Sequence, residues 1–296
     1  MPEAEPDPAS PAPLRLGRQR FDRFRPVVMA IVNRTPDSFY DGGATYDLVA
    51  ALARVEQVVE QGAEVVDIGG VRAGHGAEVT AAEELRRTRS LVTAVRARYT
   101  ELVISVDTWR AEVAEVLCGE GADLVNDPWA GADPRVAEVA AAHGVGLVCS
   151  HSGGLAPRSP PRRVDYDDVV GDVVTRTCAL AERAVGVGVR RDAILLDPTY
   201  DFGKSTVQSL ELVRRLDELV DTGWPVLVAM SNKDFVGETL DVAVGERLVG
   251  TLAATAVAAW HGALMVRAHE VAETRAVLEM VASIRGDRPP AAPHRP

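Results

Sequence analysis

The strongest constraint on the fold is a repeated alternation of short apolar runs with longer amphipathic stretches. The runs are nearly continuous in valine, isoleucine, leucine and alanine, as is typical of parallel strands covered on both faces. Eight such runs cover residues 27–33, 63–70, 102–108, 123–127, 146–152, 193–198, 226–232 and 264–270. Stretches with helical periodicity lie at 47–61, 80–97, 110–121, 134–143, 167–186, 206–221, 244–261 and 271–284. Eight strand–helix units predict an α/β fold of the (β/α)8 TIM barrel type, with a doubly wound parallel sheet as the alternative.

The two ends of the chain differ in composition from the segment between them. The first residues, "MPEAEPDPASPAP", and the last, "RPPAAPHRP", are rich in proline and poor in large apolar side chains. This composition is typical of segments that bury no core of their own. We therefore expect a single barrel domain at residues 26–285, a flexible N-terminal tail at 1–25 and a flexible C-terminal tail at 286–296.

Charge, hydropathy and cysteine usage argue against several classes of protein. The formal net charge is −11, whereas nucleic-acid-binding proteins usually carry a basic patch. No apolar run in the sequence reaches the roughly 18 residues of a membrane span, so we expect no membrane association. The three cysteines, Cys118, Cys149 and Cys178, are widely separated and odd in number. This usage favours a reducing, cytoplasmic location over a secreted disulfide framework.

Polar side chains stand at the C-terminal ends of the predicted strands, the edge at which barrel enzymes place their catalytic groups. Asp107, Asn126, Asp197 and Lys233 are four of them. Carboxylate and amide oxygens suit a flat, donor-rich heterocycle such as an aminopyrimidinone, because each edge N–H needs its own acceptor. The alternative for each residue alone is a polar network inside the barrel.

A second polar group comes from the first and last predicted strands, which are neighbours in a closed barrel. Asn33, Arg267 and His269 offer an amide, a guanidinium and an imidazole, a combination that suits a phosphate or pyrophosphate. The loop "NRTPDSFYDGG" at 33–43 follows the first strand, and Asp37 or Asp41 in it could close over a ligand or hold Mg²⁺ through water. In "LDPTYDFGK", Phe202 supplies an aromatic ring close to Asp197.

Several of these segments, in this order, resemble the dihydropteroate synthase family over about residues 27–285. The matching segments are "MAIVNRTPDSFYDGG", "VVDIGG", "ISVDTWR", "LVNDPWAG", "LLDPTYDFGK", "MSNKDFVG" and "VRAHEV". The resemblance implies a barrel enzyme that condenses a dihydropterin-methyl pyrophosphate with 4-aminobenzoate and releases pyrophosphate. It also implies a pterin substrate, a Mg²⁺ cofactor and a homodimer.

The resemblance also implies roles for individual residues. Asp107, Asn126, Asp197 and Lys233 match the residues of the pterin pocket. Asn33, Arg267 and His269 match the anchors of pyrophosphate, with Asn33 contacting Mg²⁺. Asp41, Lys233 and Arg267 match residues that take part in catalysis, and Phe202 matches the aromatic that packs on the aminobenzoate ring.

The sequence departs from the family at the loops that surround the second substrate. After the strand ending in Gly-Gly, the family continues with glutamate, small hydroxyl residues and Arg-Pro-Gly. Here the segment is "VRAGHG", so Gly74 stands where the arginine that helps hold pyrophosphate is expected, and Arg72 lies two positions earlier. The family's Ser-Arg-Lys is "SNK", with Asn232 in place of arginine. Thr199 and Asp201 replace glycines that are usual in that loop.

Three functions remain open at this stage. The first is a dihydropteroate synthase paralogue that binds a pterin and condenses 4-aminobenzoate poorly or not at all. The second is a transferase for a different amine acceptor. The third is a non-catalytic binding or regulatory protein. The apolar helices predicted at 244–261 and 271–284 would then form a dimer face, and the alternative for them is ordinary helix surface packed on the barrel.

Overall fold

The computed structural model describes residues 13–22, 25–35, 45–72, 74, 76–159 and 164–292. Within them, eight parallel strands form one sheet. In chain order after a short N-terminal hairpin, the strands are β3 (Val27–Asn33), β4 (Val65–Gly69), β5 (Val103–Asp107), β6 (Leu124–Asp127), β7 (Gly146–Ser150), β8 (Ile194–Asp197), β9 (Leu227–Val228) and β10 (Met265–Ala268). The spatial order is β8-β7-β6-β5-β4-β3-β10-β9. A parallel bridge from Leu196 to Val226 joins the two ends of this order, so the sheet closes and the predicted (β/α)8 barrel is confirmed.

The helices alternate with the strands and pack outside them. They are α1 (Leu48–Glu60), α2 (Ala81–Arg98), α3 (Ala111–Gly119), α4 (Arg135–His143), α5 (Val169–Gly186), α6 (Thr206–Arg214), α7 (Leu216–Val220), α8 (Asp234–Leu240), α9 (Leu248–Trp260) and α10 (Val271–Arg285). Several begin where the sequence supplies a cap. Asp47 accepts hydrogen bonds from the first amides of α1, and Ser205 forms a capping box with Gln208 at the start of α6, so otherwise unpaired backbone donors are satisfied.

The core has two main parts, which follow from the alternation of side chains along each strand. Side chains such as Val28, Val66 and Ile104 point outward and pack with the helices in the larger part. Side chains such as Met29, Val65 and Val103 point inward and fill the lower barrel. The inward side chains become polar toward the C-terminal ends of the strands, so the barrel is packed below and open to a site above.

The N-terminal boundary predicted at residue 25 is wrong for part of that segment. Residues 14–16 (β1, Leu14–Leu16) and 19–21 (β2, Gln19–Phe21) form an antiparallel hairpin. Leu14, Leu16 and Phe21 are buried against the inward-facing residues of the lower barrel, so the hairpin covers that end. Only these three apolar side chains make the contact. Because they are so few, the composition of the segment resembles that of a tail.

Two other segments differ from the helices and strands predicted from periodicity. The strand predicted at 226–232 is short, because β9 ends at Val228 and the chain turns into α8, a helix that was not predicted. The helix predicted at 206–221 is divided into α6 and α7 at Arg215, whose φ of −113° and ψ of 27° are not helical. Both differences lie on the side of the barrel that carries Lys233.

Candidate active site

A cavity of about 360 Å³ opens at the C-terminal ends of the strands. Its lining residues come from seven different strands or the loops that follow them. They are Ile31, Asn33, Arg72, Gly74, Asp107, Asn126, Pro128, Asp197, Thr199, Asp201, Phe202, Ala229, Ser231, Asn232, Lys233, Asp234, Val244, Arg267 and His269. Asp107, Asn126, Asp197 and Lys233, which the sequence places together, therefore share one hollow.

The floor of the cavity is a network of charged side chains centred on Arg267. Its Nε donates to Asp67 Oδ2 at 2.6 Å and its Nη2 donates to Asp107 Oδ2 at 2.9 Å. Asp67 also accepts from Ser105 Oγ at 2.6 Å and from Asn126 Nδ2 at 3.2 Å. Because Asp67 is completely buried, these bonds compensate its charge. They also fix the position of Asn126.

Burial changes the proton affinity of the carboxyl groups in this network. Loss of hydration raises the pKa of Asp107 to about 7, and the neighbouring Asp67 adds to the rise while the Arg267 guanidinium opposes it. Burial also raises the pKa of Asp197, against the opposing effect of Lys233. A perturbed carboxyl pKa inside a cavity is typical of a site that handles protons or binds polar ligands.

Lys233 lies between acceptors from the neighbouring loop. Its Nζ donates to the Tyr200 carbonyl oxygen at 2.6 Å and stands 5.1 Å from the centre of the Phe202 ring. Burial lowers the pKa of Lys233, and Asp201 and Asp197 counteract that effect. The Phe202 ring meets Trp129 edge to face at 5.2 Å between ring centres. Phe202 is therefore held as one wall of the cavity, as expected.

Asn33, Arg267 and His269 line the same cavity from adjacent strands. Strands β3 and β10 pair in parallel, with Arg267 opposite Met29, so the predicted neighbourhood of these residues is confirmed. His269 Nδ1 and Ser231 Oγ are hydrogen-bonded at 2.8 Å. A Cβ added at Gly69 would lie only 3.0 Å from Asn33 Oδ1. Glycine at position 69 therefore leaves space for the Asn33 side chain. Asp41, predicted on the first loop, lies outside the described residues, as does Asp37.

The altered second loop reaches the cavity at two described positions. Arg72 and Gly74 both line it, and Arg72 is exposed. Val71 is buried against Trp109 and Trp129 in a small apolar cluster that also contacts Phe202. Val71, at the position where the family has glutamate, therefore serves apolar packing. His75 lies outside the described residues.

Asn232 is buried, and its side chain points toward Glu270. Its Nδ2 donates to Glu270 Oε1 at 2.9 Å, and Ser231 Oγ donates to Glu270 Oε2 at 3.1 Å. Asn232 has φ of 56°, in the left-handed region, which asparagine tolerates better than most residues. The amide at this position therefore satisfies an internal carboxylate.

Four participants in the site were not singled out from the sequence as ligand-binding groups: Asp67, Asp201, Ser231 and Glu270. Asp67 lies in the apolar run at 63–70, and its strand register opposite Ser105 places it in the barrel interior. Glu270 follows a strand end by two residues. No pattern in the sequence shows that it turns back to Asn232.

Metal ligands and membrane spans were also sought among the described residues. That part of the chain holds no cluster of three or more histidine, cysteine, aspartate or glutamate side chains suited to a metal ion. In the same residues, no helix combines the length and apolar character needed to cross a membrane.

The fold and the cavity define an α/β barrel that presents polar groups to a small molecule at the C-terminal ends of its strands. The sequence matches the family described as "Pterin binding enzyme" over residues 29–269, and the chain belongs to that family. It is similar to "Inactive dihydropteroate synthase 2" of Mycobacterium leprae, with 59% identity over 270 residues, 90% of this chain and 93% of the relative. The predicted resemblance to a divergent dihydropteroate synthase paralogue is thereby confirmed.

Solved structures of the family superimpose closely. The Yersinia pestis dihydropteroate synthase in a sulfonamide drug complex matches with a TM-score of 0.86 and 35% identity, over 93% of this chain and 99% of that one. The enzyme from Clostridium difficile, solved in the presence of pteroic acid, matches with a TM-score of 0.80 and 33% identity, over 91% of this chain and 98% of that one.

Proposed function

We propose that this chain is a dihydropteroate synthase-like protein that binds a dihydropterin pyrophosphate and has weak or no condensation activity with 4-aminobenzoate. The observation that carries the proposal is the contrast within one cavity. Asp107, Asn126, Asp197 and Lys233 converge there, whereas glycine and asparagine stand at the two arginine positions. The name of the Mycobacterium leprae relative, an inactive synthase, agrees with this contrast.

Each part of the cavity has a separate task in this proposal. Asp107, Asn126 and Asp197 accept hydrogen bonds from the edge of the pterin ring, and Lys233 donates to it. Asn33, Arg267 and His269 hold the pyrophosphate, which leaves as the bond from the methylene carbon to oxygen breaks. An amine nitrogen then forms the bond to that carbon and loses a proton. Phe202 packs on the ring of the amine.

Asp41, Lys233 and Arg267 remain our proposed catalytic residues, and Mg²⁺ remains a proposed cofactor. Asn33 offers a single amide oxygen, so the ion would complete its oxygen shell from pyrophosphate and water, as Mg²⁺ commonly does. The ion would neutralise charge on the leaving group. The three free cysteines and the proposed substrate fit a cytoplasmic location.

Pterin binding tests the proposal directly. The wild-type protein should bind dihydropterin pyrophosphate in isothermal titration calorimetry. Asp197→Asn should weaken that binding by about 10–100-fold, because a charge-assisted hydrogen bond contributes about 1.5–3 kcal/mol and about 1.4 kcal/mol corresponds to tenfold. Asp192→Asn, before the opposite end of β8, is the matched control. No heat of binding with the wild-type protein, or equal affinities for both variants, would refute the proposal.

A homodimer is the second part of the proposal. Helices α9 and α10 pack side by side and expose large apolar side chains, with Trp260 55%, Met280 61% and Ile284 60% accessible. Adjacent exposed apolar residues mark interaction surfaces, and a two-fold axis would bury the same face of both copies.

The dimer proposal predicts a change in mass in solution. Trp260→Glu should convert a dimer to a monomer in sedimentation velocity, because the interface would have to bury an unpaired carboxylate. Val187→Glu is the control, since Val187 is also exposed (48%) and follows α5. A wild-type monomer at micromolar concentration, or a dimer unaffected by Trp260→Glu, would rule this interface out.

A further inference from the structure

Asp201 is an acidic side chain built into the wall of the cavity next to Phe202. Its Oδ2 accepts from the backbone N–H of Asp234 at 2.8 Å and from that of Phe235 at 3.4 Å. Ser209 Oγ donates to its Oδ1 at 3.3 Å. The residue adopts φ of 68°, so a non-glycine residue takes a strained conformation in order to place a carboxylate here.

The other donors of this wall are also compensated by groups of the same chain. Arg247 donates to Asp234 Oδ1 at 2.9 Å and to the Asn232 carbonyl oxygen at 2.8 Å. Asn232 Nδ2 donates to Glu270. Arg247 and Asn232, two groups that could receive an anionic ligand beside Phe202, therefore already have anionic or carbonyl partners.

The charge of this wall is unfavourable for a further anion. Its carboxylates, those exposed to the cavity and those bonded directly behind it, are Asp197, Asp201, Asp234 and Glu270. The cations beside them are Lys204, Lys233 and Arg247, and each already donates to a carboxylate or carbonyl oxygen of this chain. A carboxylate bound beside Phe202 would have to displace Asp201 from two amides and remain close to like charges. Juxtaposed like charges at a binding surface oppose association strongly.

We infer that Asp201 determines the chemical class of the second substrate by filling the anion position of the acceptor pocket. On this basis the pocket accepts an uncharged or cationic aromatic amine and rejects a benzoate. The inference rests on the part of the proposed function that assigns the pterin substrate. It deepens that function by assigning a substrate class and a specificity-determining residue.

Three matched amines separate charge from shape: 4-aminobenzoate, 4-aminobenzamide and 4-aminobenzamidine. Their binding is measured by calorimetry with and without dihydropterin pyrophosphate. The wild-type protein should prefer the amide and the amidine over the acid by at least about tenfold, the effect of roughly 1.4 kcal/mol. Asp201→Asn, which keeps the shape of the side chain, should shift the preference toward the acid by about 10–100-fold.

Two further variants complete the design. Asp201→Gly removes the side chain and relieves the left-handed strain, so a fold that tolerates it should show the same shift. Asp217→Asn changes a surface aspartate on α7 and should leave the preference unchanged. Equal wild-type affinities for acid and amide, an unchanged preference in Asp201→Asn, or failure of every amine to bind would each overturn the inference. A missing response to the pterin alone, with the shift in amine preference intact, would instead refute the proposed pterin function.

Discussion

Replacing Arg267 with methionine is expected to lower the free energy of unfolding by about 3–5 kcal/mol, the usual effect of removing one partner from a buried ion pair. Methionine keeps much of the length of the side chain and removes its charge. Asp67 would then keep only Ser105 and Asn126 as hydrogen-bond partners, and Asp107 would lose its guanidinium. Chemical denaturation followed by tryptophan fluorescence and circular dichroism gives the difference in stability.

The control for Arg267→Met is an arginine that has three carboxylate partners, against two for Arg267, in a more exposed environment. Arg215 contacts Asp168, Glu211 and Glu218, but its side chain is 32% exposed, compared with 17% for Arg267. Arg215→Met should therefore cost far less than Arg267→Met, because solvent screens surface ion pairs. Equal losses for the two variants would show that burial of the Asp67 carboxylate is not the source of the effect.

A second variant identifies which carboxylate causes the loss. Asp67→Asn introduced together with Arg267→Met removes the completely buried charge as well as its partner. The double variant should regain a substantial part of the lost stability, because the uncompensated charge is gone. A double variant less stable than Arg267→Met would indicate that Asp67 stabilises the barrel through its bonds to Ser105 and Asn126.

The sequence predicted the barrel and half of the cavity because both follow from local rules. Parallel strands covered on two faces require continuous apolar runs, and a side chain at the end of such a run can face only the rim. Asp107, Asn126 and Asp197 were found by this rule. The same rule placed Lys233 with them because the predicted strand ran to residue 232, although β9 ends at Val228. Phe202 was placed near them only by its closeness in sequence to Asp197, and its role came from the resemblance.

The unpredicted parts depend on contacts between distant segments. Arg267 was expected to face pyrophosphate with Asn33, yet its hydrogen bonds run to Asp67 and Asp107, residues 200 and 160 positions away in the chain. Its proposed contact with pyrophosphate is therefore made by a guanidinium that also positions a carboxylate of the pterin pocket. Hydrophobic periodicity carries no information about such pairs.

Introducing arginine at the two altered positions is the strongest test of the proposed cause of weak condensation. Gly74→Arg and Asn232→Arg, introduced together into the Asp201→Gly background, should raise turnover of dihydropterin pyrophosphate with 4-aminobenzoate by about 10²–10⁴-fold over that background. Each arginine restores one charge-assisted contact of about 1.5–3 kcal/mol, and about 1.4 kcal/mol corresponds to tenfold in rate. Pyrophosphate release measures the turnover.

The two positions differ in how readily they accept a longer side chain. A Cβ at Gly74 would lie 3.6 Å from Arg72 Nε, an ordinary contact, and φ at Gly74 is not in the left-handed region. At position 232 an arginine would adopt φ near 56°, which costs about 1–3 kcal/mol of strain. Its five donors allow one edge of the guanidinium to pair with Glu270 while another faces the cavity, which the Asn232 amide cannot do.

Two matched variants decide whether the arginines act through contacts with the substrates. Gly74→Gln and Asn232→Gln, in the same Asp201→Gly background, supply long polar side chains without charge and should give less than a tenth of the gain. Gly186→Arg adds a positive charge at the end of α5, where an added Cβ meets no neighbour within 4 Å, and should give none. Turnover that rises equally with glutamine would assign the effect to loop shape, and turnover unchanged by the arginines would mean that the block to condensation lies elsewhere in the second loop.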